Sequence, residues 1–308
     1  MLHLRMISPS SRTDEVMAVL ADCLGITNII VLPGAGRGPV GDVILCDLAR
    51  ESANEVIGRL KWLEDEGSIA VESIDLALSK GAREAVEEAP GEPEDTVVWE
   101  ELAQTVVSGS RMTWAYLAFL AIATQLAGIG VAQNSPILIV GAMVLGPEFG
   151  PIAAICFGLL RGRWHLITTS LRTLVVGFTF AIAVTFACAL VSSWLGWIGP
   201  ENLQVNEEVR FIVTPDKWSM IVALLAGGAG VLSITGGKST SLVGVFISVT
   251  TVPAAGYAAV AMALGGWKEV AGAVAQLGVN ILGMLIAGTV TLLIQRELWP
   301  QVGRRSSV

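Results

Sequence analysis

The residues most able to do chemistry lie where a soluble protein would not put them. In "GAMVLGPEFGPIAAI" (141–155) a glutamate, Glu148, stands among Gly146, Pro147, Gly150 and Pro151, inside a run otherwise apolar enough to cross a bilayer. A proline in a span removes a backbone donor and pushes its ring against the preceding turn, so carbonyl groups are freed. Lipid tolerates such groups only inside protein or against a water-filled cavity. A carboxylate at that depth is costly, and intramembrane ionisable residues mark sites by default. Glu148 therefore reads as a proton or cation site. The structural alternatives are a carboxylate held by free N–H groups at the start of a half-helix, or a carboxyl kept protonated by desolvation. A second break, around Pro253, lies beside the hydroxyls of Ser248, Thr250 and Thr251. Two breaks at related positions point to a central substrate or ion site, with Gly146 and Gly150 where a backbone could approach closely. Arg172 could partner Glu148, contact an anionic substrate or snorkel to the cytoplasmic edge. Asn280 and Gln276 read as interhelical hydrogen-bond partners, with a ligand role as the alternative.

Other chemistries lack their residues. No HExxH, paired Asp or Ser/His arrangement occurs, and the chain has only 2 His. The 4 Cys (Cys23, Cys46, Cys156, Cys188) show no metal spacing, so they read as small buried apolar residues. No enzyme, metal or cofactor is expected. "GAGRG" (34–38) lacks the dinucleotide fingerprint and lies between two predicted strands, so it reads as a hairpin loop. Asp47, Arg50 and Glu51 follow a strand and could cap the next helix.

The elements that must position Glu148 follow from composition. The chain is 53% hydrophobic and 15% charged, which suits a membrane protein with a soluble part. Residues 1–111 hold 20 acidic and 9 basic side chains, whereas 112–308 hold 7 acidic and 10 basic. The solvent thus changes from water to lipid near Arg111. An acidic soluble part argues against nucleic acid and against docking on anionic headgroups. The N-terminus has no apolar core for a signal peptide, so this part is expected in the cytoplasm. Residues 2–8, 26–32, 43–49 and 69–78 read as strands, with helices over 12–25 and 51–67. That β-α-β-β-α-β order is the ferredoxin-like one, over residues 1–80. An acidic linker and interfacial helix (81–110) follow, with Val98, Leu102 and Val106 on one helical face. So small a core would be helped by pairing with a second copy, so a homo-oligomer is expected.

A span needs about 20 apolar residues. The stretches 112–132, 136–160, 166–198, 218–235, 240–264 and 271–294 qualify, giving about six spans over 111–298 and a basic cytoplasmic tail at 299–308. Trp114, Trp164, Trp194, Trp197, Trp218, Trp267 and Trp299 fall at span ends, where aromatic belts sit. Arg111, "RGRWH", Lys238 and the tail arginines fall on one side, so both termini are expected in the cytoplasm. "LIVGAMVLGPEFGPIAAICFGLLRGRW" (138–164) is echoed by "LVGVFISVTTVPAAGYAAVAMALGGW" (242–267). Three spans per unit then predict an inverted 3+3 repeat.

The motifs "SPILIVGAMVLGPEFGPI" (135–152), "GKSTSLVGVFISVTTVPAAG" (237–256), "GGWKEVAGAVAQLGVNILG" (265–283) and "GDVILCDLARESANEVI" (41–57) carry a resemblance. The chain resembles the bacterial domain-of-unknown-function family 389, hydrophobic membrane proteins. The resemblance implies a multi-span protein of the bacterial cell (inner) membrane. Many members of that family have an apolar residue at the position of Glu148, and a second proline where this chain has Ala254. The combined expectation is an α-helical polytopic membrane protein with an N-terminal α+β ferredoxin-like cytoplasmic domain. It would act as a transporter or channel-like permease for a small solute or ion. The rival is a membrane-anchored sensor or scaffold whose soluble domain binds a small ligand.

Overall fold

Alternation of apolar and polar residues in "LHLRMIS" sends Leu2, Leu4 and Met6 to one face of a strand and His3 and Arg5 to the other. In the computed structural model this strand is β1 (Leu2–Ser8), the inner member of a four-stranded sheet. The structure describes residues 1–74, 76–89, 91, 96–203, 217–236 and 251–297. They form two units, one built on Met1–Leu102 and the other on Ala103–Ile294.

In the first unit β2 (Ile26–Arg37), β3 (Val40–Leu48) and β4 (Ser68–Ser73) complete the sheet. Its order is β2-β3-β1-β4 and every neighbouring pair is antiparallel. Helix α1 (Thr13–Asp22) follows β1, and α2 (Ala53–Arg59) and α3 (Leu63–Glu66) follow β3. Val16, Leu20, Val56, Leu60 and Leu63 from these helices pack on Leu2, Leu4, Met6, Ile44 and Leu48 of the sheet. Each fully buried side chain of this size contributes about 1.5–3 kcal/mol. Cys46 shares the core, and burial pushes its thiol up to about 12, so it is an apolar filler. Cys23 and Cys156 are buried too, whereas Cys188 is exposed, against expectation.

Three local expectations change. "GAGRG" is not a hairpin loop: β2 continues through Arg37 and only Gly38 and Pro39 form the turn. Gly34 and Gly36 instead accompany a register shift between Leu32 and Gly36, the irregularity that strand glycines mark. Asp47 and Arg50 do not cap a helix. Asp47 accepts from His3 Nδ1 (2.6 Å) and Asn28 Nδ2 (2.7 Å), and Arg50 pairs with Glu101 at 2.9 Å. Part of the expected linker is helical: α4 (Lys80–Glu88) starts at Ser79, whose hydroxyl accepts from Ala82 N, and rests on β2 and β3 through Ala82 and Ala85. Helix α5 (Trp99–Gly109) follows, and its stripe of Val98, Leu102 and Val106 is buried in protein.

Asp42 ties the sheet to the loop after β1. Its carboxylate accepts from Ser10 Oγ (2.7 Å), Thr13 Oγ1 (2.6 Å) and Gly34 N (2.8 Å). These donors, Thr13 first, hold its pKa below the ordinary carboxylate value. A depressed folded pKa means the contribution is present above the unfolded value, about 3.9, and is lost as pH falls through the folded value. Asp42→Ala should therefore lower the unfolding midpoint of the N-terminal unit at neutral pH, with the difference from wild type shrinking below about pH 4. Circular dichroism melts of the full chain across that range check this.

The second unit is helical: α6 (Trp114–Ala132), α7 (Pro136–Leu145), α8 (Phe149–Arg161), α9 (Trp164–Trp194), α10 (Lys217–Thr235), α11 (Thr251–Ala263) and α12 (Trp267–Glu297). Among the described residues α6, α9, α10 and α12 are long and apolar enough to cross a membrane, and α7 with α8, bent by 53°, makes a fifth if taken as one span. Residues 237–250 and Trp299 lie outside the described residues. The long third stretch is one helix: α9 has 31 residues, is about 46 Å long, and outruns the ~30 Å hydrocarbon layer. Trp114, Trp164, Trp194, Trp218 and Trp267 are exposed at helix ends.

The α8–α9 and α11–α12 turns close alike. Gly162 and Gly265 sit at φ +67° and +77°, which favours glycine. Arg163 N donates to Gly158 O, and Gly266 N to Ala261 O; Trp164 N donates to Gly162 O, and Trp267 N to Gly265 O.

Candidate functional site

The break between α7 and α8 is built by proline at permitted places. Pro147 disfavours a helical conformation at the residue before it, and Gly146 is extended there (φ −68°, ψ 122°), ending α7. Pro151 is the third residue of α8, where the missing N–H had no intrahelical partner to lose, and Pro253 lies in α11. Glu148 precedes α8 with helical backbone angles, but its side chain makes no capping bond to that helix. It turns instead toward α11. Thr251 Oγ1, on the first described residue of α11, donates to Glu148 Oε1 at 2.5 Å, and both residues are fully buried. That length suits a hydroxyl bonded to a carboxylate.

The surroundings follow from packing. Gly158 of α8 lies against Ile167 of α9. Counting back along α8 to Glu148, and forward by the same number along α9, reaches Gly177. There a Cβ would meet the Tyr116 ring at 2.7 Å and its hydroxyl at 3.1 Å. Tyr116, on α6, is thus level with Glu148 and within electrostatic range of its carboxylate. Its hydroxyl is buried with no hydrogen-bond partner among the described residues. Beyond the matching turn between α11 and α12, Asn280 is fully buried. Gln276, one turn nearer that turn, is fully buried, and neither amide atom has a partner among the described residues. Leaving such a group unsatisfied costs roughly 1–3 kcal/mol, so the interhelical hydrogen bond expected of it is not made.

The remaining candidates separate. Arg172 is exposed and joins no ion pair among the described residues, so it is not brought to Glu148. The cations of the described membrane unit (Arg111, Arg161, Arg163, His165, Arg172, Lys217, Lys268) are all exposed. A Cβ on Gly150 would meet Gly109 O at 2.5 Å, so this glycine admits the end of α5, not a ligand. Ser248 and Thr250 lie outside the described residues. No group of three His, Cys, Asp or Glu suited to a metal occurs among the described residues. Tyr116 was missed in the sequence. Its signal was a hydroxyl-bearing ring within an apolar run, in a chain with only 2 Tyr.

Several apolar helices long enough to cross a membrane, with a buried acid at a helix break, support a multi-pass helical membrane protein. The family model described as Domain of unknown function (DUF389) matches residues 143–286, from just before the α7–α8 break into α12. The uncharacterized protein MJ0678 of Methanocaldococcus jannaschii is 29% identical over 167 residues, 54% of this chain and 49% of its own length. The chain thus spans about half the length of the curated relative it matches. No solved structure matches.

Proposed function

We propose that the chain is a membrane permease, transporter-like or channel-like, for a small solute or ion, with its site where the broken helices meet. The observation that carries this reading is the buried bond from Thr251 to Glu148, which joins the two breaks. An anchor needs neither the breaks nor a buried acid between them. In this reading six spans form an inverted 3+3 repeat, for which the matching turns speak. The β2-β3-β1-β4 order with helices after β1 and β3 supports a ferredoxin-like module, cytoplasmic and serving regulation or homo-oligomer assembly. The basic residues flanking α6, α8 and α9 support cytoplasmic termini in the cell (inner) membrane. In this reading Glu148, Thr251 and Asn280 serve the site, while Pro147, Pro151 and Pro253 shape it. No enzymatic step is assigned.

The test is flux into proteoliposomes holding the full chain. Wild type should move a small solute or ion, and Glu148→Gln should cut the rate by roughly 100-fold. A Glu148→Gln flux equal to wild type at every pH would reject the charged site. The sensor reading is favoured by the half-exposed His3–Asp47–Asn28 cluster on the sheet. It gains ground if no flux is found and a small ligand binds that face.

A further inference from the structure

We infer that the open face of the N-terminal sheet docks a second copy of this chain, face to face about a two-fold axis; this rests on the assembly role given to the module above and not on the flux of any solute. Register decides which residues share that face, because cross-strand partners point the same way. Leu4, Met6, Ile44 and Cys46 point into the core with the helices. The residues between them point away. Ile30, Leu45, Arg5 and Ala70 form a middle row across the four strands. Leu32, Val43 and Ile7 stand on one side of it, and Asp47, His3 and Glu72 on the other, so six of these ten residues are apolar. Ile30 and Leu32 are 50% and 44% exposed, and none of the six joins the core on the other face. Helix α4 meets β2 near its start, with Gly81 against Thr27, and leaves this patch open.

Charge says what covers it. Residues 1–111 carry 20 acidic side chains, yet only Asp47 and Glu72 stand on these rows, and Asp47 is engaged by His3 at 2.6 Å. Depletion of charge at the centre of a patch is the compositional mark of an interface. Arg5 and Glu72 lie on neighbouring strands one row apart, and neither joins an ion pair among the described residues. One cation and one acid on the same face make that face self-complementary. A two-fold copy sets Arg5 of one protomer against Glu72 of the other, and the reverse, in a single contact. A strongly acidic or strongly basic partner would meet its own sign at one of the two, and an anionic lipid surface would be repelled by the net charge of the unit. Three rows about 7 Å apart across four strands about 4.8 Å apart give a footprint of roughly 400 Å² per copy. The pair would hide about 800 Å² or somewhat more, the size of a weak, reversible contact.

The experiment uses the full chain in liposomes, with Cys188→Ala to remove the exposed native cysteine. Leu45→Cys sets a thiol in the middle row, and Ala21→Cys sets one at an exposed position of α1, on the other side of the sheet. A short bismaleimide should join Leu45→Cys chains into a covalent dimer roughly 5-fold more than Ala21→Cys chains. Leu32→Asp should cut that yield about 5-fold or more, since it puts a charge into the docked patch. Arg5→Glu should cut it about 3-fold, and adding Glu72→Arg should restore it. The charge exchange stays informative if Leu32→Asp fails to fold, which circular dichroism checks. Equal joining at Leu45→Cys and Ala21→Cys, or joining at Ala21→Cys alone, keeps assembly and overturns this face. Joining unmoved by Leu32→Asp and by the charge exchange also overturns it. So does a Leu45→Cys chain that stays single because a ligand or another protein covers the sheet. Flux in the same liposomes separates the readings. Flux without joining rejects the docked face and leaves the permease, and joining without flux upholds the docked face and rejects the permease.

Discussion

Gly256→Leu is expected to abolish the folded membrane unit. A Cβ at Gly256 would lie 2.7 Å from Gly128 N, 2.9 Å from Ala127 Cβ and 2.9 Å from Thr124 O. Two of those atoms are backbone of α6 and cannot swing aside as a side-chain tip can. The contact is reciprocal, since a Cβ on Gly128 would meet Val260 Cγ2 at 3.2 Å and Thr185 Cγ2 at 3.1 Å. Close approach through small residues is the main means by which helices associate in lipid, where burial of apolar surface gives no drive. Forcing extra methylenes into a packed contact costs roughly 1–3 kcal/mol even when side chains can adjust, and here the helix itself must move. That shift would also pull Thr251, five residues earlier on α11, away from Glu148. The expected result is loss of the monodisperse peak in size exclusion, with Gly256→Ala showing a lowered thermal midpoint. Gly272→Leu, where an added Cβ meets nothing within 4 Å, should behave as wild type. A Gly256→Leu protein indistinguishable from that control would refute the α6–α11 contact.

What could be read in advance was what depends on neighbours along the chain. The period-2 burial of Leu2, Leu4 and Met6, the prolines that end α7 and open α8 and α11, and the Trp residues at helix ends are local consequences of residue type. The bond between Glu148 and Thr251 depends on residues 103 apart. The sequence placed both residues at breaks, but only packing joins them. Tyr116 was hidden for the same reason: its importance comes from Gly177 on another helix, which leaves space for its ring. Arg172 could not be assigned from position alone. A residue within a span can face any direction, and a long cationic stem finds water at the edge with less cost than it finds a buried partner. In α4 the net charge of "KGAREAVEE" obscured the small stripe of Ala82 and Ala85 and the Ser79 cap. In β2 the glycines of "GAGRG" look like a loop because composition does not distinguish a bulged strand from a turn.

Glu148→Leu should raise thermal stability while removing function. A fully buried carboxylate gives up its hydration, and hydrogen bonds return only part of that cost. Replacing buried ionic groups by well-packed apolar residues of similar volume is often neutral or stabilising by 1–4 kcal/mol. Thr251 would lose an acceptor, but a threonine in a helix can turn its hydroxyl to other oxygens, so the penalty on that side is small. Thr251→Val has the opposite sign, since it keeps the buried acid and removes a donor, and it should lower the midpoint by roughly 1–3 kcal/mol equivalent. In the double variant the effect of Thr251→Val should largely vanish, because the group it serves is gone. Melts followed by tryptophan fluorescence give all three values. An acid retained against stability is one retained for what it binds. Should Glu148→Leu instead melt lower than wild type, with Thr251→Val lowering it equally, the pair would be a latch between α8 and α11 rather than a binding site.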